Sequence, residues 1–240
     1  MPDEPRYKRI LLKASGEALM GDRPFGIDQA ICDRLAADVR AVWQQGVSVG
    51  VVIGGGNIFR GVQVAAKGGD RVTGDHMGML ATVMNALALR TALRQAGVEC
   101  VVLSALAMEE ICDTFNQRSA MAHLEAGRVV IFAAGTGNPF FTTDTAAALR
   151  AAEIGADVLL KATQVDGIYS ADPRKDPHAE RFDVISHEDM LARGLRVMDT
   201  AAVAVARDSH IPIIVYSLLQ EGGLAGVLSG EGRHTLVPAH

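Results

Sequence analysis

Three charged side chains stand out because of where they lie relative to the apolar segments of the chain. Lys13 and Lys161 each end a segment that we predict to be a strand, and Asp144 lies at the start of a predicted helix. In open α/β sheets, ligands bind at the edge formed by the carboxyl ends of the strands. Ammonium groups at that edge can neutralise phosphate oxygens, and a carboxylate can orient them. We therefore expect a phosphate-handling site here, although Lys13 fits an exposed strand-end lysine equally well.

Glycine-rich loops follow two of the predicted strands. The strand Val47–Ile53 opens into Gly54–Gly61, which begins with three glycines in succession. Bare backbone of this kind costs chain entropy, so we expect it to approach a ligand rather than to serve packing alone. Arg60 in this loop can bind a phosphate through two parallel hydrogen bonds, or it can be a rim arginine without a role.

The segment Ala133–Ala147 combines a loop of small residues with a helix start. It follows the strand Val129–Phe132, and Thr143 is placed to cap the next helix. Glycines allow the backbone to approach a ligand closely, and a helix N-terminus offers unpaired N–H groups to an anion such as phosphate. The competing interpretation is a tight turn with a buried pair of phenylalanines, Phe140 and Phe141.

The absence of several well-known motifs narrows the chemistry. The sequence has no Gly-x-x-x-x-Gly-Lys-Ser/Thr, no Gly-x-Gly-x-x-Gly after the first strand and no nucleophile with an adjacent base. What remains fits phosphoryl transfer, in which a protein positions donor and acceptor and neutralises charge without covalent chemistry of its own. In that scheme Lys13 and Lys161 stabilise the transferring and leaving oxygens. Asp144 orients the two lysines, and Mg²⁺ bridges the donor phosphates.

Composition argues against several other classes of protein. The 240 residues are 49% hydrophobic with a net charge of −5, which favours a globular fold and argues against a broad basic face for nucleic acid. No uncharged apolar run approaches membrane-spanning length, and residues 1–6 lack the apolar region of a signal peptide. We therefore expect no membrane partner and a cytoplasmic location. Cys32, Cys100 and Cys112 have no metal or redox spacing and are expected to be packing residues.

Strands and helices alternate along the chain, which predicts a largely parallel sheet. We expect an α/β fold, a three-layer sandwich with a mostly parallel central sheet covered by helices on both faces. The helix predicted for Asp75–Arg94 carries two apolar stripes. We predict that one stripe packs on the sheet and the other on a second subunit. Arg90 and Arg94, one turn apart near the end of this helix, form a basic spot.

Five motifs resemble, in order and at matching spacing, those of the bacterial uridylate (UMP) kinases of the amino-acid-kinase superfamily. The resemblance covers essentially the whole chain. The motifs are Lys13–Glu17, Gly54–Gly61, Gly74–Asn85, Gly135–Asp144, and Lys161–Gly167 followed by Ala171–Pro173. A single motif of this kind carries little weight, whereas five in order are specific.

The resemblance implies an amino-acid-kinase-like fold in a single domain, residues 1–240, that transfers the γ-phosphoryl group of ATP to UMP. Its acceptor-binding part would extend to about residue 150 and its ATP-binding part from about residue 151. The implied catalytic residues are Lys13, Lys161, Asp144 and Arg60. The implied ATP contacts are Lys13, Ala14, Ser15, Gly16, Gly56, Arg60, Thr163, Tyr169 and Asp172. The implied UMP contacts are Gly55, Asp75, Thr136, Gly137, Asn138, Pro139, Phe140, Phe141, Thr142 and Thr143.

By the same resemblance the protein is expected to form a homohexamer and to serve pyrimidine nucleotide synthesis. Mg²⁺ is expected to arrive with ATP rather than at a metal site of the protein. The family is inhibited by UTP and in many bacteria is activated by GTP, with Arg90 and Arg94 as candidate effector contacts here. Two departures matter. Ala14 replaces a bulkier aliphatic residue, which should only loosen local packing. Thr91 replaces a frequent acidic residue of GTP-activated relatives, which argues against GTP activation here.

Two other functions stay open on the sequence. The first is a kinase of the same superfamily that acts on a carboxylate such as glutamate or an acetylated amino acid. Against it, Arg60 and the loop Thr136–Thr143 suit an acceptor that bears a phosphate and a flat base. The second is a non-catalytic ATP-binding storage or regulatory protein of the same fold, like the proteins that store molybdenum oxyanions. Against that function, both lysines and Asp144 are present and no histidine cluster marks a metal-oxide cage.

Overall fold

The computed structural model describes residues 5–59, 68–195, 197–220 and 223–239 of the chain. Within these residues the strands are β1 (Arg9–Ala14), β2 (Ser48–Ile53), β3 (Cys100–Ser104), β4 (Asp113–Thr114), β5 (Val129–Ala133), β6 (Val158–Thr163), β7 (Ile168–Tyr169), β8 (Arg181–Phe182), β9 (Ile213–Ser217) and β10 (His234–Val237). The helices are α1 (Gln29–Trp43), α2 (Arg71–Gln95), α3 (Gln117–Glu125), α4 (Thr143–Glu153), α5 (His187–Ala192), α6 (Thr200–Asp208) and α7 (Gly223–Ser229). A short 3₁₀ helix, Gly16–Met20, follows β1.

One large sheet organises these elements. Its eight strands run in the order β10-β9-β6-β1-β2-β5-β3-β4, and β7 and β8 form a separate antiparallel hairpin. Neighbouring strands of the large sheet are parallel except β9 and β10, which are antiparallel. The prediction of a mostly parallel central sheet is confirmed.

Apolar side chains cover both faces of the sheet. One buried cluster joins the sheet to α1, α2 and α7, and a second joins it to α3, α4 and α6. Successive residues of a strand point to opposite faces, so Leu12 of β1 belongs to the first cluster and Leu11 to the second. The predicted three-layer arrangement is therefore confirmed.

Side-chain caps set where the helices begin. Asp28 accepts a hydrogen bond from the N–H of Ala30 and caps α1. The cap predicted for α4 is wrong by one residue, because Thr142 rather than Thr143 accepts the N–H of Asp144. Threonines stand at both positions, and either hydroxyl suits a cap.

The helix α2 is longer than predicted and begins at Arg71 rather than Asp75. Asp70 caps it by accepting the N–H groups of Val72 and Thr73. One apolar stripe of α2 is buried against the sheet, as predicted, and consists of Met79, Val83, Ala86 and Leu89. The other stripe leaves three large side chains exposed in the single chain, Met77, Leu80 and Met84.

The loops after β1 and β2 touch through glycines. A Cβ atom on Gly16 would lie 2.6 Å from the carbonyl oxygen of Gly54, and one on Gly55 would lie 2.7 Å from that of Gly78 in α2. Real Cβ atoms do not approach backbone atoms so closely. The expectation that packing alone hardly justifies the three glycines is therefore wrong for Gly54 and Gly55, since backbone packing already requires them.

A buried pair of asparagines joins the glycine loop to α2. The amide of Asn85 donates to the side-chain oxygen of Asn57 at 2.7 Å and to the carbonyl of Gly54 at 2.7 Å. The amide of Asn57 donates to the side chain of Asn85 at 3.0 Å and to the carbonyl of Gly26 at 2.9 Å. Both side chains are buried, so the pair satisfies polar groups that would otherwise be costly to bury.

The remaining general expectations concern cysteine and membrane contact. Cys32, Cys100 and Cys112 are buried and unpaired, as expected for packing residues. In the part of the chain that the structure describes, no helix combines the length and apolar character needed to span a bilayer.

The glycine contact generates a stability prediction. Gly16→Ala places a methyl group against the backbone of Gly54, which should lower the free energy of unfolding by about 2 kcal/mol, the scale of overpacking in a dense core. Gly226→Ala is the matched control, because a Cβ there has its nearest neighbour 4.0 Å away and α7 is helical. Urea unfolding of the two variants measures the difference, and equal midpoints would contradict the prediction.

Candidate active site

Strand register brings the two lysines together. Lys13 of β1 is paired with Lys161 of the parallel neighbour β6. Side chains paired in register leave the sheet on the same face, which here is the face covered by α4. Both are almost fully enclosed, with exposed side-chain fractions of 7% for Lys13 and 11% for Lys161. The alternative of an exposed strand-end lysine is therefore wrong for Lys13.

One carboxylate lies between the two ammonium groups. Asp144 Oδ1 is 2.9 Å from Lys13 Nζ, and Asp144 Oδ2 is 2.7 Å from Lys161 Nζ. Lys161 also donates a hydrogen bond to the carbonyl oxygen of Val197. Because Asp144 is the second residue of α4, the positive end of that helix lies at the same place. Two ammonium groups, one carboxylate and a helix N-terminus make a site with net attraction for an anion.

Burial and charge act in opposition on this cluster. Burial alone would raise the pKa of Asp144, but the ammonium groups of Lys13 and Lys161 outweigh it and hold that pKa below its usual value. Burial lowers the pKa of Lys161, and the nearby charge of Lys13 adds to this, although Asp144 opposes both. The carboxylate therefore stays ionised well below neutral pH.

Asp199 has a role at the site that the sequence does not indicate. Its carboxylate caps α6 by accepting the N–H of Ala202 at 2.9 Å, and it also accepts hydrogen bonds from the hydroxyls of Thr142 and Thr145. It thereby joins the first turn of α4, which carries Asp144, to the start of α6. The only sequence signal is its position directly before the residues of α6, where an aspartate indicates a cap and nothing more.

A cavity of about 810 Å³ opens beside the lysine and aspartate cluster. It is lined by Lys13, Asp144 and Lys161 and by four further residues predicted to contact ATP, which are Ser15, Thr163, Tyr169 and Asp172. Ala14 has its side chain in the core on the other face of the sheet, so only its backbone is available to a nucleotide. Gly16 and Gly56 do not line this cavity within the described residues.

The segment after β6 forms one wall of the cavity. The hydroxyl of Tyr169 donates to Asp166 at 2.6 Å, and Asp166 also pairs with Arg233 at 3.1 Å. Asp172 accepts the N–H of Arg174 at 3.1 Å, which tightens the turn that follows the hairpin strand β7. These bonds shape this wall of the cavity from within.

The residues predicted to hold UMP lie around the start of α2. Asp75 accepts the N–H of Phe140 at 2.7 Å, which joins α2 to the loop between β5 and α4. Gly55 lies against α2 at Gly78. The exposed fractions of Phe140 and Phe141 are 65% and 52%, so the interpretation of a buried phenylalanine pair is wrong.

The loop between β5 and α4 is shaped by its own bonds. The hydroxyl of Thr136 accepts the N–H of Asn138 at 3.1 Å, and Ala134 and Phe140 adopt positive φ angles of 60° and 72°. Pro139 lies between Asn138 and Phe140. Left-handed backbone is uncommon for residues other than glycine, and such strain is concentrated at functional sites. The predicted UMP contacts from Thr136 to Thr143 thus form one contiguous, bent surface.

The remaining predicted residues lie apart from this surface or outside the described chain. Arg60, predicted to be catalytic and to contact ATP, lies outside the described residues. Arg90 and Arg94 lie near the end of α2, where they line a small cavity of about 210 Å³ together with Glu109 and Glu110. A helix rises 1.5 Å per residue, so Arg94 lies roughly 28 Å along α2 from Asp75.

The fold and the clustered lysines agree with the comparison to known protein families. The chain belongs to the amino acid kinase family, whose sequence profile matches residues 8–217.

Individual relatives are more specific. The chain is 69% identical over 237 residues to the uridylate kinase of Brucella anthropi, which covers 99% of each chain. It is 67% identical over 237 residues to the uridylate kinase of Agrobacterium fabrum, covering 99% of this chain and 98% of that one. The crystal structure of the UMP kinase from Ureaplasma parvum matches with a TM-score of 0.91 at 35% identity, over 97% of this chain and 99% of that chain. The resemblance to the bacterial uridylate kinases is confirmed.

The charge cluster generates a prediction for the pH dependence of stability. The pKa of Asp144 is lower in the folded chain than its unfolded value of 3.8, so its contribution to stability is complete above that value. The contribution is lost as the pH falls through the folded pKa. In Asp144→Asn, the unfolding free energy should fall below that of the wild type at pH 7, and the difference should narrow below about pH 4.

Thermal unfolding between pH 3 and pH 7 measures this difference. Glu231→Gln, which alters an exposed side chain, serves as the control and should follow the wild type at every pH. A constant difference between Asp144→Asn and the wild type across this range would contradict the assignment of an ionised, stabilising carboxylate.

Proposed function

We propose that this protein transfers the γ-phosphoryl group of ATP to UMP, giving ADP and UDP. The observation that carries the proposal is the enclosed cluster of Lys13, Asp144 and Lys161 beside a cavity large enough for a nucleotide. The uridylate kinases that match over nearly the whole chain support the choice of reaction.

The two lysines would act on charge rather than form bonds. In phosphoryl transfer, negative charge spreads over the transferring group and the leaving oxygen, and preorganised cations lower the barrier. Lys13 and Lys161 lie in a site shielded from water, where their charges are screened less than at the surface. Asp144 holds both ammonium groups by its two oxygens, so that neither has to be reoriented during the reaction.

Mg²⁺ would enter with the nucleotide. In the described residues, no group of three or more His, Cys, Asp or Glu side chains is placed to hold a metal ion. When bound with ATP, the ion would neutralise part of the charge of the phosphates.

The acceptor side favours a nucleotide over a small carboxylate. Phe140 and Phe141 offer exposed aromatic rings on the loop that also contacts Asp75, and flat rings suit a flat base. No observation favours the carboxylate kinases or the storage proteins, whereas the relatives that match are named uridylate kinases. The division into an acceptor-binding part to about residue 150 and an ATP-binding part from about residue 151 stays a prediction.

The wider role is proposed on the family resemblance. We propose that the enzyme serves pyrimidine nucleotide synthesis in the cytoplasm as a homohexamer, with UTP as inhibitor. GTP is proposed as an activator on the same resemblance, and Thr91, which lies between Arg90 and Arg94 where GTP-activated relatives often carry an acidic residue, argues against it. In support of an effector role, the two arginines line a cavity of their own, apart from the lysine cluster.

The test of the function is ADP release from Mg·ATP with UMP, CMP, glutamate and N-acetylglutamate as parallel acceptors, with and without GTP and UTP. We expect turnover with UMP. Turnover with a carboxylate acceptor alone would replace the proposal by another kinase of the family. ATP binding without turnover on any acceptor would favour a storage or regulatory protein.

Loss of Lys13 should affect chemistry rather than folding. We expect Lys13→Ala to lower kcat by about 10²–10³, the scale for removing one donor to the transition state. Lys8→Ala is the matched control, because Lys8 precedes the opposite end of the same strand, and its kcat should be that of the wild type. Unchanged turnover in Lys13→Ala would overturn the catalytic assignment.

The exposed stripe of α2 generates a prediction on assembly. Met84→Asp places a charge beside Met77 and Leu80 in the exposed apolar stripe. The variant should therefore dissociate any oligomer that covers this stripe. Glu231→Lys, on the exposed segment after α7, is the control for a change of surface charge. Gel filtration with light scattering compares the masses, and a Met84→Asp variant of native mass would refute the assigned interface.

A further inference from the structure

Arg71 is the first residue of α2, and the roles proposed above do not use it. Its Nε donates to both carboxylate oxygens of Asp75, at 2.8 and 2.9 Å. Its guanidinium carbon lies 5.6 Å from the ring centroid of Phe140. One side chain thus contacts two residues that are predicted to hold the acceptor, and these two come from different parts of the chain.

Asp75 and Phe140 are themselves in contact. The oxygen of Asp75 that receives the Phe140 N–H, at 2.7 Å, is also within hydrogen-bonding distance of Arg71 Nε. Phe140 has a φ angle of +72°, which is costly for a residue with a side chain, so the local contacts must favour this conformation. The Asp75 hydrogen bond and the cation above the ring are two such contacts.

Burial makes the carboxylate depend on the arginine. The side chain of Asp75 is 12% exposed, whereas that of Arg71 is 38% exposed. A carboxylate removed from water needs a partner, and the charged hydrogen bonds from Arg71 fix its orientation. Arg71 therefore sets where the oxygens of Asp75 point, and through Asp75 it sets the backbone of the acceptor loop.

We propose that Arg71 is a positioning residue of the UMP site, which holds Asp75 and Phe140 in the conformation that receives the acceptor nucleotide. This inference rests on the proposed function, since it assigns the site a UMP acceptor. The plain alternative is an ordinary ion pair one turn apart on a helix, which would stabilise α2 and leave substrate binding unaffected.

Steady-state kinetics with each substrate varied in turn separates these possibilities. In Arg71→Gln we expect KM for UMP to rise about tenfold, with kcat within about twofold of the wild type and KM for ATP unchanged, because ground-state positioning is lost on one side of the site only. Calorimetric titration with UMP alone should show the same loss of affinity. Arg71→Lys keeps the charge but lacks the planar guanidinium, so its KM for UMP should lie between that of the wild type and that of Arg71→Gln.

A control variant and a double variant sharpen the test. Arg207→Gln removes a similarly exposed arginine that pairs with Asp208 on α6, and its kinetics should be those of the wild type. Phe140→Gly removes both the ring and the cost of positive φ. If Arg71 acts through Phe140, Arg71→Gln should raise KM for UMP less in the Phe140→Gly background than in the wild type.

The possible outcomes separate the positioning role of Arg71 from the proposed function. A wild type that phosphorylates UMP, together with an Arg71→Gln variant that loses thermal stability but keeps its KM for UMP, would overturn the positioning role alone. Equal rises in KM for UMP and ATP would do the same, since they would indicate general distortion. A wild type without UMP turnover would overturn the proposed function, and the positioning role would fall with it.

Discussion

The site depends on one carboxylate shared by two buried ammonium groups. Removing two cations from water is expensive, and Asp144 offsets that cost only because each of its oxygens meets one lysine. The sheet register must place Lys13 opposite Lys161, and the first turn of α4 must lie directly above them. Much of the remaining structure at this edge of the sheet holds β1, β6 and the first turn of α4 in these positions.

Different physical devices fix the two sides of the site. On the side proposed for the donor, the strands are buried on both faces and Asp199 joins α4 to α6 by hydrogen bonds. On the side proposed for the acceptor, the positions are set by close backbone packing at Gly55, by the buried pair of Asn57 and Asn85, and by the contact of Asp75 with a strained loop. The proposed donor side is therefore built mainly from regular elements, and the proposed acceptor side mainly from loops held against one helix.

The sequence predicts which residues form this site better than it predicts the contacts between them. Apolar runs and polar strand ends are local patterns, and they place both lysines near the carboxyl ends of strands. The predicted strand ends are too early, because β1 continues to Ala14 and β6 continues to Thr163. The pairing of the two lysines across β1 and β6 joins residues 148 positions apart, and no local pattern encodes it. The glycines of Gly54–Gly56 suggest a ligand on sequence alone, because the backbone that excludes a Cβ at Gly54 and Gly55 comes from Gly16 and from Gly78 of α2, which are distant in sequence. The roles of Asp199 and Arg71 depend on tertiary contacts of the same kind.

The long helix α2 carries Asp75 near its start, an exposed apolar stripe along its middle, and Arg90 and Arg94 near its end. Its buried stripe from Met79 to Leu89 fixes the helix to the sheet along the same middle part. A second copy that covered Met77, Leu80 and Met84 would therefore enclose the middle of α2 on both sides. The helix that carries Asp75 near its start would then be part of a subunit interface as well as of the core.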